Sequence, residues 1–200
     1  MYTKKIAMLC VITLTLLIAP LIAPNAFAQA WSIGISPATQ NVGIGETVTA
    51  NITIADVGAP GLYSYQFEVY YDNTLLNGTD VVLPPNHFLK PVTPSLIFSL
   101  GPTINQTTGI VSFVVTLMGD EVGKTGSGTL ATMTFTGLAV GTANLTIQNL
   151  ILVYSDGTQF QDGTNNPGFI SVIPEFSLIA LMAVFGVMAA AAVKMKKKLK

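Results

Sequence analysis

Few side chains in this 200-residue chain could do chemistry. His87 is its only histidine and Cys10 its only cysteine. A Ser-His-Asp relay therefore has one possible base, and no Gly-X-Ser-X-Gly elbow surrounds any serine. Beside Pro84-Pro85, His87 reads as a loop residue. Zinc takes three or four Cys, His or carboxylate ligands, so no zinc site is expected. Asp120-Glu121 is the densest acidic pair, and paired carboxylates can hydrolyse glycosides. Adjacent side chains diverge, however, and Met118-Gly119-Asp120-Glu121 reads as a solvated strand tip. Asp156, Asp162 and the carbonyls between them offer oxygens to calcium, but the regular alternate-Asp spacing is missing and a flexible acidic loop is the favoured reading. No catalytic residue, metal or cofactor is assigned, and the chain is expected not to be an enzyme. Asn51, Asn77, Asn105 and Asn144 each open an Asn-X-Ser/Thr sequon and are the glycosylation candidates.

The segments that must position these groups lie between two apolar ends. Half of the residues are hydrophobic and a tenth charged, too apolar for an ordinary soluble domain. Lys4 and Lys5 precede an uncharged run from Ile6 to Ile22, and Ala26-Phe27-Ala28 supplies the small residues of a signal-peptidase site. Residues 1–28 are expected to be a signal peptide cleaved between Ala28 and Gln29. The alternative, an uncleaved anchor helix, would be broken by Pro20 and Pro24. Phe176 to Val193 carries no charge, and as a helix it nearly spans a hydrocarbon core of roughly 30 Å. The lysines at 194, 196, 197, 198 and 200 follow at once, and cationic flanks stay on the cytoplasmic side. Residues 29–173 are thereby expected outside the cell, held at its surface by one C-terminal transmembrane helix within 174–200.

That external part holds two cations, Lys90 and Lys124, against nine acidic residues, a formal balance of −7. All nine basic residues of the chain are lysines. Without a basic patch or an arginine fork, nucleic acid is not an expected partner. Its stability must come from a packed core, since the only cysteine lies in the signal.

Period-two alternation runs through the external part. Val48, Ala50, Ile52 and Ile54 alternate with polar residues. So do Tyr63, Tyr65, Phe67, Val69 and Tyr71, then Val111, Phe113, Val115 and Leu117. Ala131, Met133 and Phe135, and then Ala143, Leu145 and Ile147, form further inward rows. With 31–36, 75–83, 95–100 and 168–172 added, nine strands are expected. Turn signals at 43–45, 58–61, 84–85, 123–128, 141 and 156–157 divide them, and 156–167 is the longest expected loop. Half-buried antiparallel strands of this length predict two sheets packed face to face, an all-β sandwich. Trp31, Tyr70 and Tyr154 are the rings expected outward, unless Trp31 closes the core. Three scattered rings make no platform for a sugar.

Gly45-Glu46-Thr47-Val48, then Tyr71-Asp72 with Leu75-Leu76, then Gly128-Thr129-Leu130-Ala131 leading to Phe135, recur in an order that resembles a cohesin domain. The resemblance spans most of residues 31–172 and implies a nine-stranded jelly roll, related in fold to carbohydrate-binding modules. It also implies a dockerin-type protein partner bound through one face, in systems linked to polysaccharide degradation. That face is expected to carry Ser64, Gln66, Glu68 and Tyr70 on one strand and Ser112, Val114 and Thr116 on another, with Tyr70 beside Val114 at its centre. The alternative is a carbohydrate-binding or structural surface protein. Pro174-Glu175-Phe176 before an apolar run and a basic end is similar to the PEF-type C-terminal sorting signals of archaeal surface proteins, which would imply a membrane sortase as partner. A plain membrane helix is the simpler alternative.

Overall fold

The computed structural model describes residues 31–161 and 164–174. The expected signal peptide, the Ala28/Gln29 cleavage site, Asp162, Glu175, Phe176, the apolar run and the lysine tail lie outside the described residues. Among the described residues the elements are all strands. They are β1 (Ser32–Ser36), β2 (Thr39–Gly43), β3 (Thr47–Tyr70), β4 (Leu76–Val82), β5 (Ile97–Asn105), β6 (Ile110–Leu117), β7 (Lys124–Gly137), β8 (Gly141–Tyr154), β9 (Gln159–Phe160), β10 (Thr164–Asn166) and β11 (Gly168–Ile173).

β3 organises the sandwich because it belongs to both layers. Its first half pairs antiparallel with β1 and β7, and β4 continues that layer beyond β7. Its second half pairs antiparallel with β6 and β8, and β5 continues beyond β6. β11 closes the fold, antiparallel to the start of β8 and parallel to β2. The inward rows expected from alternation meet between the layers: Ala50, Ile52, Tyr65, Phe67, Val69, Val115, Ala131, Phe135 and Ala143 are fully buried. Tyr65 and Phe67 stack at 5.8 Å, and Phe113 meets Phe67 edge-on at 6.4 Å. The Tyr65 hydroxyl donates to the Leu130 carbonyl at 2.8 Å, so this buried phenol keeps a partner, and burial pushes its pKa far up.

Eleven strand segments replace the expected nine. Gly58 to Gly61 was expected to end a strand, yet β3 runs through it with shifts of register on both sides. Gly and Pro mark an irregular backbone without saying whether the chain reverses or only bends. Here it bends from one layer into the other. Gly61 has φ +99° and lies so close to Gly123 that a Cβ would meet that residue's carbonyl carbon at 2.5 Å. β7 likewise begins at Lys124, inside the expected 123–128 turn. The alternation signal is absent from β2, whose Thr39-Gln40-Asn41 is polar on both sides, and the expected 156–167 loop contains the short β9 and β10.

Candidate functional site

One outward face of the sandwich is a four-stranded surface in the order β5-β6-β3-β8. Its register follows from the pairings. Phe98, Thr116, Ser64 and Val153 form one cross-strand row; Leu100, Val114, Gln66 and Ile151 form the next. Thr103, Ser112, Glu68 and Gln148 form the third, and Asn105, Ile110, Tyr70 and Thr146 the fourth. All seven residues expected on the face from β3 and β6 lie here, half-buried. Tyr70 is not beside Val114, however. It opposes Ile110, while Val114 opposes Gln66, and the four residue steps from Ile110 to Val114 separate them by about 13 Å. Alternation fixes which side a residue faces but not which residue of a distant strand it meets.

The neighbours of Val114 are instead Leu100 and Phe98, which sequence reasoning missed. They are 63% and 51% exposed on β5, which pairs with β6 alone. Large apolar groups clustered on a strand face are the kind of surface that a partner covers. The signal was present in Ile97-Phe98-Ser99-Leu100, but an apolar run in a strand reads as core unless a neighbouring register shows which side faces solvent.

A polar cluster lies beside this apolar corner. One Glu68 oxygen accepts hydrogen bonds from Asn149 Nδ2 at 2.6 Å and from the Tyr70 hydroxyl at 2.9 Å, and the other accepts from Ser112 Oγ at 3.3 Å. The Asn149 bond, then that of Tyr70, holds the Glu68 pKa below the ordinary carboxylate range. The Tyr70 pKa is raised in turn, chiefly by its bond to Glu68. Asn149 reaches this point because β8 bulges there, with φ 48° at that residue. A shallow cavity of about 470 Å³ beside the cluster is lined by Gln66, Asn149, Leu150, Ile151 and Gln161. The face thus presents a fixed anion with acceptor capacity next to an exposed apolar corner. That arrangement can receive hydrogen-bond donors and an apolar ridge.

The remaining expected groups fall elsewhere. Trp31 and Tyr154 are each 2% exposed: Tyr154 is corrected from its outward placement, and Trp31 closes the core, the second of its two expected positions; both rings meet Phe160 edge-on. Glu121 accepts from the Val92 and Thr93 N–H groups at 3.2 and 3.0 Å and lies 3.6 Å from Lys124, so it fastens a Pro-rich loop. The Thr93 and Val92 bonds lower its pKa. His87 is a loop residue as expected, and burial, with Lys90 nearby, lowers its pKa. Asp156 Oδ1 accepts from Thr158 N at 2.9 Å and closes a turn. No group of three or more metal-ligating side chains occurs among the described residues.

The sequons differ in surroundings. Asn144 is exposed on β8, and Asn51 accepts a bond from Thr132 Oγ1 at 2.7 Å. Asn105 Oδ1 accepts from the N–H groups of Thr107 and Thr108 at the β5–β6 turn. Asn77 lies within β4 opposite Thr136. Pro174 is exposed just after β11.

The two-layered all-β architecture with this face is a jelly roll. The cohesin domain family model matches residues 33–172, and the chain belongs to the cohesin family. No curated protein matches the chain. Among solved structures it is similar to a type II cohesin domain from the cellulosome of Acetivibrio cellulolyticus, at 19% identity and TM-score 0.57, over 70% of this chain and 95% of that one. The sixth cohesin of that organism's scaffoldin B, solved with a dockerin, is 14% identical with TM-score 0.56, over 72% and 99% of the two chains. A non-cellulosomal cohesin from the archaeon Archaeoglobus fulgidus is 16% identical with TM-score 0.52, over 72% and 91%. At these identities the likeness concerns the fold.

Proposed function

We propose that this chain is a non-catalytic, surface-anchored cohesin that captures a dockerin-type module through its β5-β6-β3-β8 face. The observation that carries the reading is the pairing of an exposed Phe98-Leu100-Val114 corner with the fixed Glu68 carboxylate on one face of a cohesin fold. Interface centres combine a desolvated apolar anchor with satisfied polar groups around it. Cohesins of the same fold have been solved in complex with dockerins, which supports the partner class. The apolar run at 176–193 and its lysine flank support display at the outer surface, and the resemblance of Pro174-Glu175-Phe176 to a sorting signal supports a membrane sortase as partner.

Immobilised residues 29–173 should retain type I or type II dockerin modules and should not sediment with insoluble cellulose. Sedimentation without dockerin capture overturns the reading in favour of sugar binding. For the topology, protease added to intact cells should digest epitopes in residues 29–173, and their protection overturns surface display.

A further inference from the structure

The end of the sandwich from which the chain leaves is apolar where a solvated tip should be polar. Leu138-Ala139-Val140, the β7–β8 connection, is exposed at all three positions. Three consecutive exposed apolar residues contradict ordinary loop patterning unless something covers them. Leu138 is 46% and Val140 57% exposed. Two further exposed apolar residues join them. Ile44, 39% exposed, bridges to Gly137, and Ile173, 41% exposed, pairs beside Gly43 at the end of β11, one residue past the Val172–Gly141 pair. Among the described residues the nearby charged groups are Glu46 and Asp72, and both are tied back to the chain: Glu46 accepts from the Gly43 N–H and Asp72 from Thr74; in sequence Glu175 follows Ile173 by two positions. At the other end of the strands Val92, Met118 and Val122 are also exposed, but Lys90, Asp120, Glu121 and Lys124 are interspersed with them.

Chain length says what covers the first tip. Only Pro174 and Glu175 separate Ile173 from the apolar run that starts at Phe176. Three backbone steps reach about 10 Å at most. The headgroup layer on one side of a bilayer is about 5–8 Å thick, the difference between the full bilayer and its hydrocarbon core. If Phe176 enters the hydrocarbon, this tether holds Ile173 inside the headgroup layer or at most a few Å beyond it, and the loops beside it are kept within contact distance of the lipid.

We infer that Ile44, Leu138, Ala139, Val140 and Ile173 form a lipid-contacting foot that rests in the headgroup layer of the membrane holding the C-terminal run. This rests on the anchoring reading above. The tip carries no cation, so contact depends on the tether and on apolar burial and not on attraction to anionic lipid. β3, β6 and β8 run between the two ends, so a domain standing on this foot turns its binding face sideways and leaves it open to a partner.

The test uses residues 29–200, the chain without the expected signal peptide and therefore free of cysteine, reconstituted in phosphatidylcholine vesicles. A fluorophore is attached in turn at Val140→Cys, Leu138→Cys and, at the opposite end, Val122→Cys. Doxyl-labelled lipid should quench the probes at 138 and 140 several-fold more than the probe at 122. Glu substitution at Ile44 and Ile173 should reduce the quenching at 140. Equal quenching at all three sites, with protein that resists alkaline carbonate extraction, overturns the foot and leaves the anchor standing. Release by carbonate overturns the anchor and the foot together. Probes at 140 that quench one another in proportion to protein density, without lipid quenching, would show that a second copy covers the tip and also overturn the inference.

Discussion

The two outward faces of β3 are built from one strand and differ in chemistry. Where β3 lies between β1 and β7 its outward residues are Thr47, Thr49, Asn51 and Thr53, opposite Thr136, Thr134, Thr132 and Thr129. Where it lies between β6 and β8 they are Ser64, Gln66, Glu68 and Tyr70, flanked by Val114, Ile151 and Val153, with Phe98 and Leu100 beyond. The first face is a ladder of small polar side chains, in which Thr132 donates to Asn51 and Thr53 to the Gly34 carbonyl. Such a surface is stable in water and offers a partner little apolar area to bury. The second face concentrates exposed apolar area beside a fixed anion. Cross-strand pairing that stabilises a sheet thus differs from the composition that makes it adhesive.

The largest effect should come from the layer beneath the second face. Phe67→Ala removes a fully buried ring stacked on Tyr65 and should cost about 3–5 kcal/mol in denaturant melts, whereas its outward neighbour Gln66→Ala should cost less than about 0.5 kcal/mol. The reverse order would place the register one residue off and exchange the faces. Leu100→Asp puts a charge in the apolar corner and should weaken dockerin capture by about 100-fold with little change in melting. Unchanged capture would move the site away from this corner. Tyr70→Ala, which also frees one bond to Glu68, should weaken it by about 30-fold in the same titration.

Smaller effects sharpen the contrast. Because hydrogen bonds lower the Glu68 pKa in the folded protein, the stabilisation they give is present above the unfolded value of about 4.3 and is lost as pH falls through the folded value. Glu68→Gln should therefore flatten the fall in stability below about pH 4.3. The difference should stay under about 0.5 kcal/mol, since solvent screens this carboxylate. Parallel acid titrations of both proteins measure it, and identical curves would remove Glu68 as a held anion. Smallest of all, Thr49→Ala and Thr134→Ala on the hydroxyl ladder should leave dockerin capture unchanged. A loss there would mean that the partner uses the other face.

The sequence by itself determined the fold class and the sidedness of the strands. Strict period two over 47–54, 63–71, 111–117 and 131–135 leaves one way to bury Phe67, Phe113 and Phe135, so Glu68 and Val114 had to face outward. The order of short motifs was enough to mark the cohesin resemblance. Only the tertiary structure decided who meets whom. Asn149 reaches Glu68 across 81 positions through a bulge, Leu100 comes to lie opposite Val114, Tyr70 opposes Ile110, and Trp31 and Tyr154 close on Phe160 inside the core. The reason is physical: alternation is local and sets a side chain's direction. The register between distant strands is set by the joint packing of both layers, which no single segment encodes.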